Sequence, residues 1–194
     1  MATPLKPSDL MSLEQYSQQR GEFRSRVIAH KKHRRVGIGP HLFLYFEDRL
    51  TIQYQVQEML RIEKIFESEG IEEELDAYNP LIPNGQNLKA TAMLEYQDVD
   101  ERKRQLALLR GIEDLVWIQV EGFDPVYAIS NEDLERSNAE KTSAVHFMRF
   151  ELEPEMITAL RNGAALKMGS NHESYRHSTT VSPQIREALL ADLD

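Results

Sequence analysis

The chain has 194 residues, a formal net charge of −9 and no cysteine. Such a length suits one domain that buries about two-thirds of its unfolded surface without staples; the missing cysteine excludes disulfides, a thiolate nucleophile, zinc fingers and cysteine-ligated iron–sulfur clusters. The acidic balance opposes non-specific nucleic-acid binding, no apolar run approaches the ~20 residues of a membrane span, and MATPLKPSDLMSLEQY at the start lacks a signal peptide's apolar core, so a soluble cytoplasmic protein is expected.

In chain order the first strong pattern is helical. Leu10, Leu13, Tyr16, Phe23, Val27 and Ile28 recur mostly at three- and four-residue spacing, with Ser8 or Ser12 as N-cap, which predicts a helix from about Asp9 to Lys32. RRVGIGP and HLFLYFED read as two short strands around a Gly39-Pro40 turn. A second helix is expected from about Arg49 to Glu67, and a shorter third carries Ile71, Leu75 and Tyr78 until Pro80 stops it. After the turn NPLIPNGQN, Leu88, Ala90, Ala92, Leu94 and Tyr96 alternate with mostly polar neighbours, the period of a half-buried strand. The charged helix DVDERKRQLALLRG follows with Gly111 as its C-cap, then a hairpin in LVWIQVEGFDPVYAIS and the polar connection NEDLERSNAEKTS.

AVHFMRFEL is apolar on both faces except at His146 and Arg149, as a central strand would be. Pro154 and Gly163 bracket the helix PEMITALRNG, two strands lie around LKMG and YRHSTTV, and Ser182 caps a last helix, PQIREALLADL. The expected fold is one α+β domain over residues 1–194, a mixed or antiparallel sheet packed with several helices. Its helical half runs to about residue 85 and its sheet-rich half from about 86. Trp117, Phe147, Met148, Phe150 and Met156 fall at core spacing, and packing is their default role.

Three segments carry a family resemblance: RVIAHKKHRRVGIGPHLFLYFEDRLTIQYQVQEMLRIEKI, VHFMRFELEPEMITAL and GSNHESYRHSTTVSPQIREALLADL. Together they resemble a bacterial family of uncharacterised proteins, the domain-of-unknown-function family 3501, over nearly the whole chain. The resemblance implies a stand-alone cytoplasmic protein of about this size, in a redox-stress setting beside rubrerythrin-like or iron–sulfur oxidoreductase partners. It carries over no catalytic residues.

The basic run His30 to Arg35 lies where the first helix ends, where cations complement the helix dipole. The GIGP that follows lacks the G-x-G-x-x-G spacing, the Walker lysine and a following helix, so no nucleotide loop is present. Lys31, Lys32, Arg34 and Arg35 are then either a helix cap or a surface that docks an anion or an acidic partner, as the polar loop Asn131 to Ser143 also could. Nucleic acid is disfavoured, since neither an aromatic platform nor a recognition-helix motif accompanies the run.

In the second helix, stepping 100° per residue from Ile52 puts Glu63 near the middle of the apolar face of Val56, Met59, Leu60, Ile62 and Phe66. A carboxylate there needs a partner: an arginine such as Arg49 or Arg149, a metal, or a proton. His146 sits in the apolar strand, and NHESYRHS supplies His172 from a turn and Tyr175 and His177 from one strand face. Glu63, His172, Tyr175 and His177 are the candidate catalytic residues, and Glu63, His146, His172 and His177 the candidate metal ligands. The spacing matches neither H-E-x-x-H nor the paired Glu-x-x-His of di-iron bundles, and no dinucleotide motif or G-x-S-x-G elbow is present.

Two functions are therefore expected from different classes. The first is a non-catalytic binding or accessory protein beside a redox partner. The second is a small metal-dependent or acid–base enzyme in which Glu63 is buried within reach of His146, His172, Tyr175 or His177.

Overall fold

The computed structural model describes residues 3–133, 136–137 and 140–194. After a 3-10 turn at Pro7–Asp9, α1 (Leu13–Lys31) begins at Ser12, whose hydroxyl caps the Gln15 N–H while Gln15 reaches back, a capping box. That reciprocal cap starts the helix later than the apolar spacing predicts. β1 (Arg35–Ile38) and β2 (Leu42–Phe46) form the expected hairpin. α2 (Arg49–Glu63), capped by Asp48, ends short of Glu67 because Lys64 takes a left-handed conformation (φ 58°) and closes on the Leu60 carbonyl.

α3 (Ser68–Tyr78) leads through a 3-10 turn at Asn79–Leu81 to β3 (Asn87–Leu94) and α4 (Val99–Leu108). Gly111, expected as the cap of α4, instead opens a separate 3-10 turn at Ile112–Asp114 with φ 78°. Then come β4 (Val116–Val120), β5 (Val126–Tyr127), β6 (Ile129–Ser130), β7 (Val145–Glu151) and α5 (Pro154–Arg161). β8 (Leu166–His172), β9 (Tyr175–Thr180) and α6 (Pro183–Leu190) complete the chain. No helix among the described residues is long and apolar enough to cross a membrane.

The strands make two antiparallel sheets, β1-β2-β3-β7-β6 and β5-β4-β8-β9, so the architecture is α+β. The predicted hairpin of β4 and β5 is present, but the chain then passes at Ala128 from one sheet to the other, and β6 pairs with β7. Residues of period two from both sheets, among them Leu44, Leu88, Ala92, Ile118, Phe150 and Met168, bury their side chains in one shared core. α1 and α2 pack through Tyr16, Phe23 and Val27, and α2 packs on α3 through Ile52, Val56, Leu60 and Leu75.

The opposite face of the five-stranded sheet is amphipathic. Tyr45, Thr91 and Phe147 lie side by side in one row across β2, β3 and β7, and Phe43, Met93 and Val145 in the next.

Candidate functional site

That second face forms the floor of a groove. α2 contributes Ile52 and Gln55 to its covering wall, and α3 with the turn after it contributes Tyr78, Pro80 and Leu81. An inner cavity of about 470 Å³ and an outer one of about 510 Å³ share Glu47, Tyr78, Leu81 and Phe147 as walls, and so adjoin. The inner cavity has the mainly apolar and aromatic walls usual for a ligand cavity, whereas the outer one adds charged side chains at its mouth.

Glu47 is the exceptional residue of the groove. It follows β2 directly, so the alternation of the strand puts it on the same face as Tyr45, and it is 6% exposed. Thr51 donates its hydroxyl to one carboxylate oxygen (2.6 Å) and Thr91 to the other (2.8 Å). Thr51 accepts from the Asp48 N–H, so the capping of α2 and the binding of this carboxylate use one side chain. Among the described residues no basic side chain pairs with the Glu47 carboxylate; Arg34 reaches only its backbone carbonyl (3.2 Å).

Towards the mouth, the Lys89 ammonium donates to the Pro80 carbonyl, and burial with the nearby Arg149 charge pulls its pKa down. Arg149 is held by Glu132 (2.7 and 2.8 Å) and Glu151, which raise its pKa. Glu74 is pushed up by burial and by the charges of Glu63 and Glu73.

A second polar cluster lies on the core side of β7. His146, 1% exposed, accepts at Nδ1 from the Asn131 amide (2.9 Å), and Asn131 Oδ1 accepts from the Phe147 N–H (3.3 Å), which fixes the amide's orientation. The proton of His146 is then on Nε2, facing the Ser143 carbonyl (3.0 Å) and Thr142 Oγ1 (2.9 Å). Thr142 and Ser137 both donate to Glu113. Burial lowers the His146 pKa; for Glu113 burial acts upward, but Ser137, its own backbone and His146 hold it below its ordinary value. These contacts fasten the connection between β6 and β7, of which residues 134, 135, 138 and 139 lie outside the described residues.

Glu63 is not buried: it ends α2 exposed, and the structure overturns that expectation. The angular phase holds, since Ile52, Val56 and Leu60 are buried. The stripe simply outruns its packing partner: Lys64 turns the chain away, and Ile62 (63%) and Phe66 (74%) are exposed with Glu63. Arg49 pairs with Asp9 (2.8 Å) rather than with Glu63.

Glu63 also makes no hydrogen bond or ion pair with His146, His172, Tyr175 or His177. His172 ends β8 instead of lying in a turn, and its ring meets the Arg110 carbonyl (3.1 Å) and the Ser174 N–H. Tyr175 and His177 share a face as expected, ring centroids 4.6 Å apart. The Tyr175 hydroxyl is occupied: it donates to the Ile38 carbonyl and accepts from the His41 and Leu42 N–H groups. No group of three or more His, Asp or Glu side chains among the described residues is arranged to hold a metal ion.

The basic run divides in two. Arg34 cannot dock a partner, because it is 2% exposed and folded inward onto the Phe46 and Ala188 carbonyls and the Asp192 carboxylate. His30 pairs with Asp48 (2.5 Å), and Arg35 lies over the Phe43 ring (3.8 Å) and bonds Tyr45. Lys31 is half-buried at the inner cavity and Lys32 is exposed.

Glu47 is not among the residues that period and motif single out. Its signal was present in LFLYFEDRLT, where an acid takes the next same-face position of an apolar strand, immediately before a helix cap.

A family model described as "Protein of unknown function (DUF3501)" matches residues 4–193. The chain is similar to a protein of unknown function from Burkholderia pseudomallei K96243 with a crystal structure: 51% identity, a TM-score of 0.94, and coverage of 99% of this chain and 100% of that one. No curated protein matches.

Proposed function

We propose, from the premise that this chain belongs to the DUF3501 family of proteins of unknown function, that it is a non-catalytic binding protein with its ligand in the groove between the five-stranded sheet and the α2–α3 layer. The observation that carries this reading is the pair of adjoining cavities, about 470 and 510 Å³, walled by aromatic and aliphatic side chains and holding a buried carboxylate. Nothing in that arrangement resembles a nucleophile with its base, so binding is favoured over reaction. Placing Trp at Ala77, an exposed position of α3 on the outer cavity, fills the groove without entering the core. A ligand of the groove shifts the amide resonances of Tyr45, Thr91 and Phe147, and Ala77→Trp abolishes both the shifts and the binding. Shifts centred elsewhere would remove the groove from consideration.

In the redox setting that the family resemblance implies, such a protein acts as a cytoplasmic accessory beside a rubrerythrin-like or iron–sulfur oxidoreductase partner. Lys31 and Lys32 are the cations of the basic run that make no ion pair among the described residues, and they are the docking residues of this reading. Their joint replacement by Gln weakens the association, the more so at low salt. An association insensitive to both the replacement and salt would end that part of the reading. The acid–base enzyme reading loses Glu63 from its constellation and gains no observation in its favour.

A further inference from the structure

We infer that the ligand of the groove is a linear aliphatic amine with at least two cationic groups, one received by Glu47 and the other by the carboxylates at the mouth. The inference rests on the groove being the binding site. Five carboxylates and two cations line the outer cavity, and both cations are engaged: Lys89 donates to the Pro80 carbonyl, and Arg149 lies between Glu132 and Glu151.

Glu47 is what makes this more than an acidic rim. Both threonine hydroxyls are placed to donate to it, one to each oxygen, and neither brings a counter-charge. A buried ionised carboxylate is costly without a counter-charge. Lys89 is its register neighbour, since the Glu47 N–H donates to the Lys89 carbonyl, yet the ammonium turns away to Pro80 and leaves the position open. Lys31, at the inner cavity, makes no ion pair with Glu47 and repels a cation from that end.

A cationic group is therefore favoured where the two cavities meet, beside Glu47 and near the rings of Tyr78 and Phe147, which both cavities share. From that point outward Ala77, Leu81 and Pro80 give apolar wall, with the engaged Lys89 and Arg149 at the side, and Glu74 and Asp76 stand at the α3 rim. Neither of those two carboxylates forms an ion pair among the described residues. Two carboxylate-bearing ends separated by a stretch with apolar wall, in which five carboxylates outnumber the two cations, complement a dication with a methylene spacer.

The test is isothermal titration of the full chain with α,ω-diaminoalkanes of four to eight carbons. 1,6-Hexanediol serves as the neutral control and adipate as the anionic one. A diamine of matching length binds, the diol and adipate bind at least tenfold more weakly, and Glu47→Gln weakens the diamine at least tenfold while the melting temperature shows the protein folded. Should Glu47→Gln not fold, the double variant Glu74→Gln, Asp76→Asn gives the same reading for the outer ammonium.

Diamine binding that survives Ala77→Trp is surface adsorption to an acidic protein and overturns the inference, as does a series in which no diamine binds. Equal affinity for diol and diamine, lost in Ala77→Trp, overturns the amine and keeps the groove. If neither diol, adipate nor diamine binds, and no other ligand shifts Tyr45, Thr91 and Phe147, the groove reading fails with it.

Discussion

The guanidinium of Arg34 is bound to the carboxylate of Asp192, so the turn after the first helix and the segment after the last hold each other. The same guanidinium also reaches the carbonyls of Phe46, Glu47 and Ala188, and lies 3.5 Å from the Asp48 carboxylate. Burial pushes the Asp192 pKa up to about 6 despite the arginine. Burial acts upward on Asp48 too, but Arg34, the Thr51 N–H and His30 hold that group below its ordinary value.

Arg34→Ala strands the Asp192 carboxylate and takes a donor from three carbonyls, while Asp48 keeps His30 and the Thr51 N–H. Removing one member of a buried pair costs about 3–5 kcal/mol, and Arg34→Lys recovers little, since an ammonium cannot present the planar fork. Urea unfolding measures this; a loss below about 1 kcal/mol for Arg34→Ala would show Arg34 to be a surface residue after all.

Tyr175→Phe removes the one hydroxyl that satisfies Ile38, His41 and Leu42 around the β1–β2 turn. Unsatisfied buried groups cost about 1–3 kcal/mol each, and the expected loss is about 2 kcal/mol, with faster hydrogen exchange at the His41 and Leu42 amides. Gly39→Ala strains the same place by another route: φ is +68°, and the added carbon meets the His177 ring at 2.6 Å. Unchanged exchange in Tyr175→Phe would mean that the β1–β2 ladder holds the turn alone.

His146 makes stability depend on pH. Its folded pKa lies below the ordinary value because of burial, with Glu113 and Asp114 acting upward and Arg136 downward. As pH falls through about 6.5 the unfolded chain takes up a proton that the folded protein does not. The stability is thus complete above about 6.5 and declines below it. Protonation of Nδ1 would also set a donor against the Asn131 amide. The advantage of wild type over His146→Gln, measured by urea unfolding, should shrink between pH 7.5 and 5.5; a constant difference refutes the argument.

Glu58 works in the opposite part of the pH scale. It joins α2 to α1 through Arg20 (2.7 and 2.8 Å) and the Tyr16 hydroxyl (2.6 Å), and Arg20 chiefly brings its pKa down to about 2. Its contribution is present above about 4.5 and fades as pH falls towards 2. Glu58→Gln should be less stable than wild type at pH 6 and approach it at pH 2.5. A gap of the same size at both values would show that packing, and not charge, is what the substitution disturbs.

The elements were legible because hydrophobic period and punctuation agreed along the chain. Pro154 and Gly163 bracket α5, Ser182 starts α6, and each predicted strand has its counterpart. Helix ends were less legible: Ser12 was one of two candidate caps and its capping box decides between them, while the left-handed Lys64 that ends α2 leaves no mark in apolar spacing. Site residues were harder still. Periodicity places Glu63 on the correct face but says nothing of where the packing partner stops, and a run of charges does not disclose that Arg34 turns inward to meet a residue 158 positions away. Of the groove, the strand face was readable in Tyr45 and Phe147, but the α3 wall above it depends on tertiary placement.

The interleaving of the two sheets bears on how the protein comes off the ribosome. β3 is a central strand, yet one of its neighbours is made before it and the other, β7, only after β4 and β5 of the second sheet. While synthesis is under way the β3 edge stays open, bearing an apolar row that pairing would cover. The segment from α4 to β5 that must wait beside it is rich in Asp, Glu, Lys and Arg in its helix, a solvating spacer during the interval. Arg34 can close on Asp192 only after every strand of both sheets has been made, because the two residues stand 158 positions apart with all but the first helix between them.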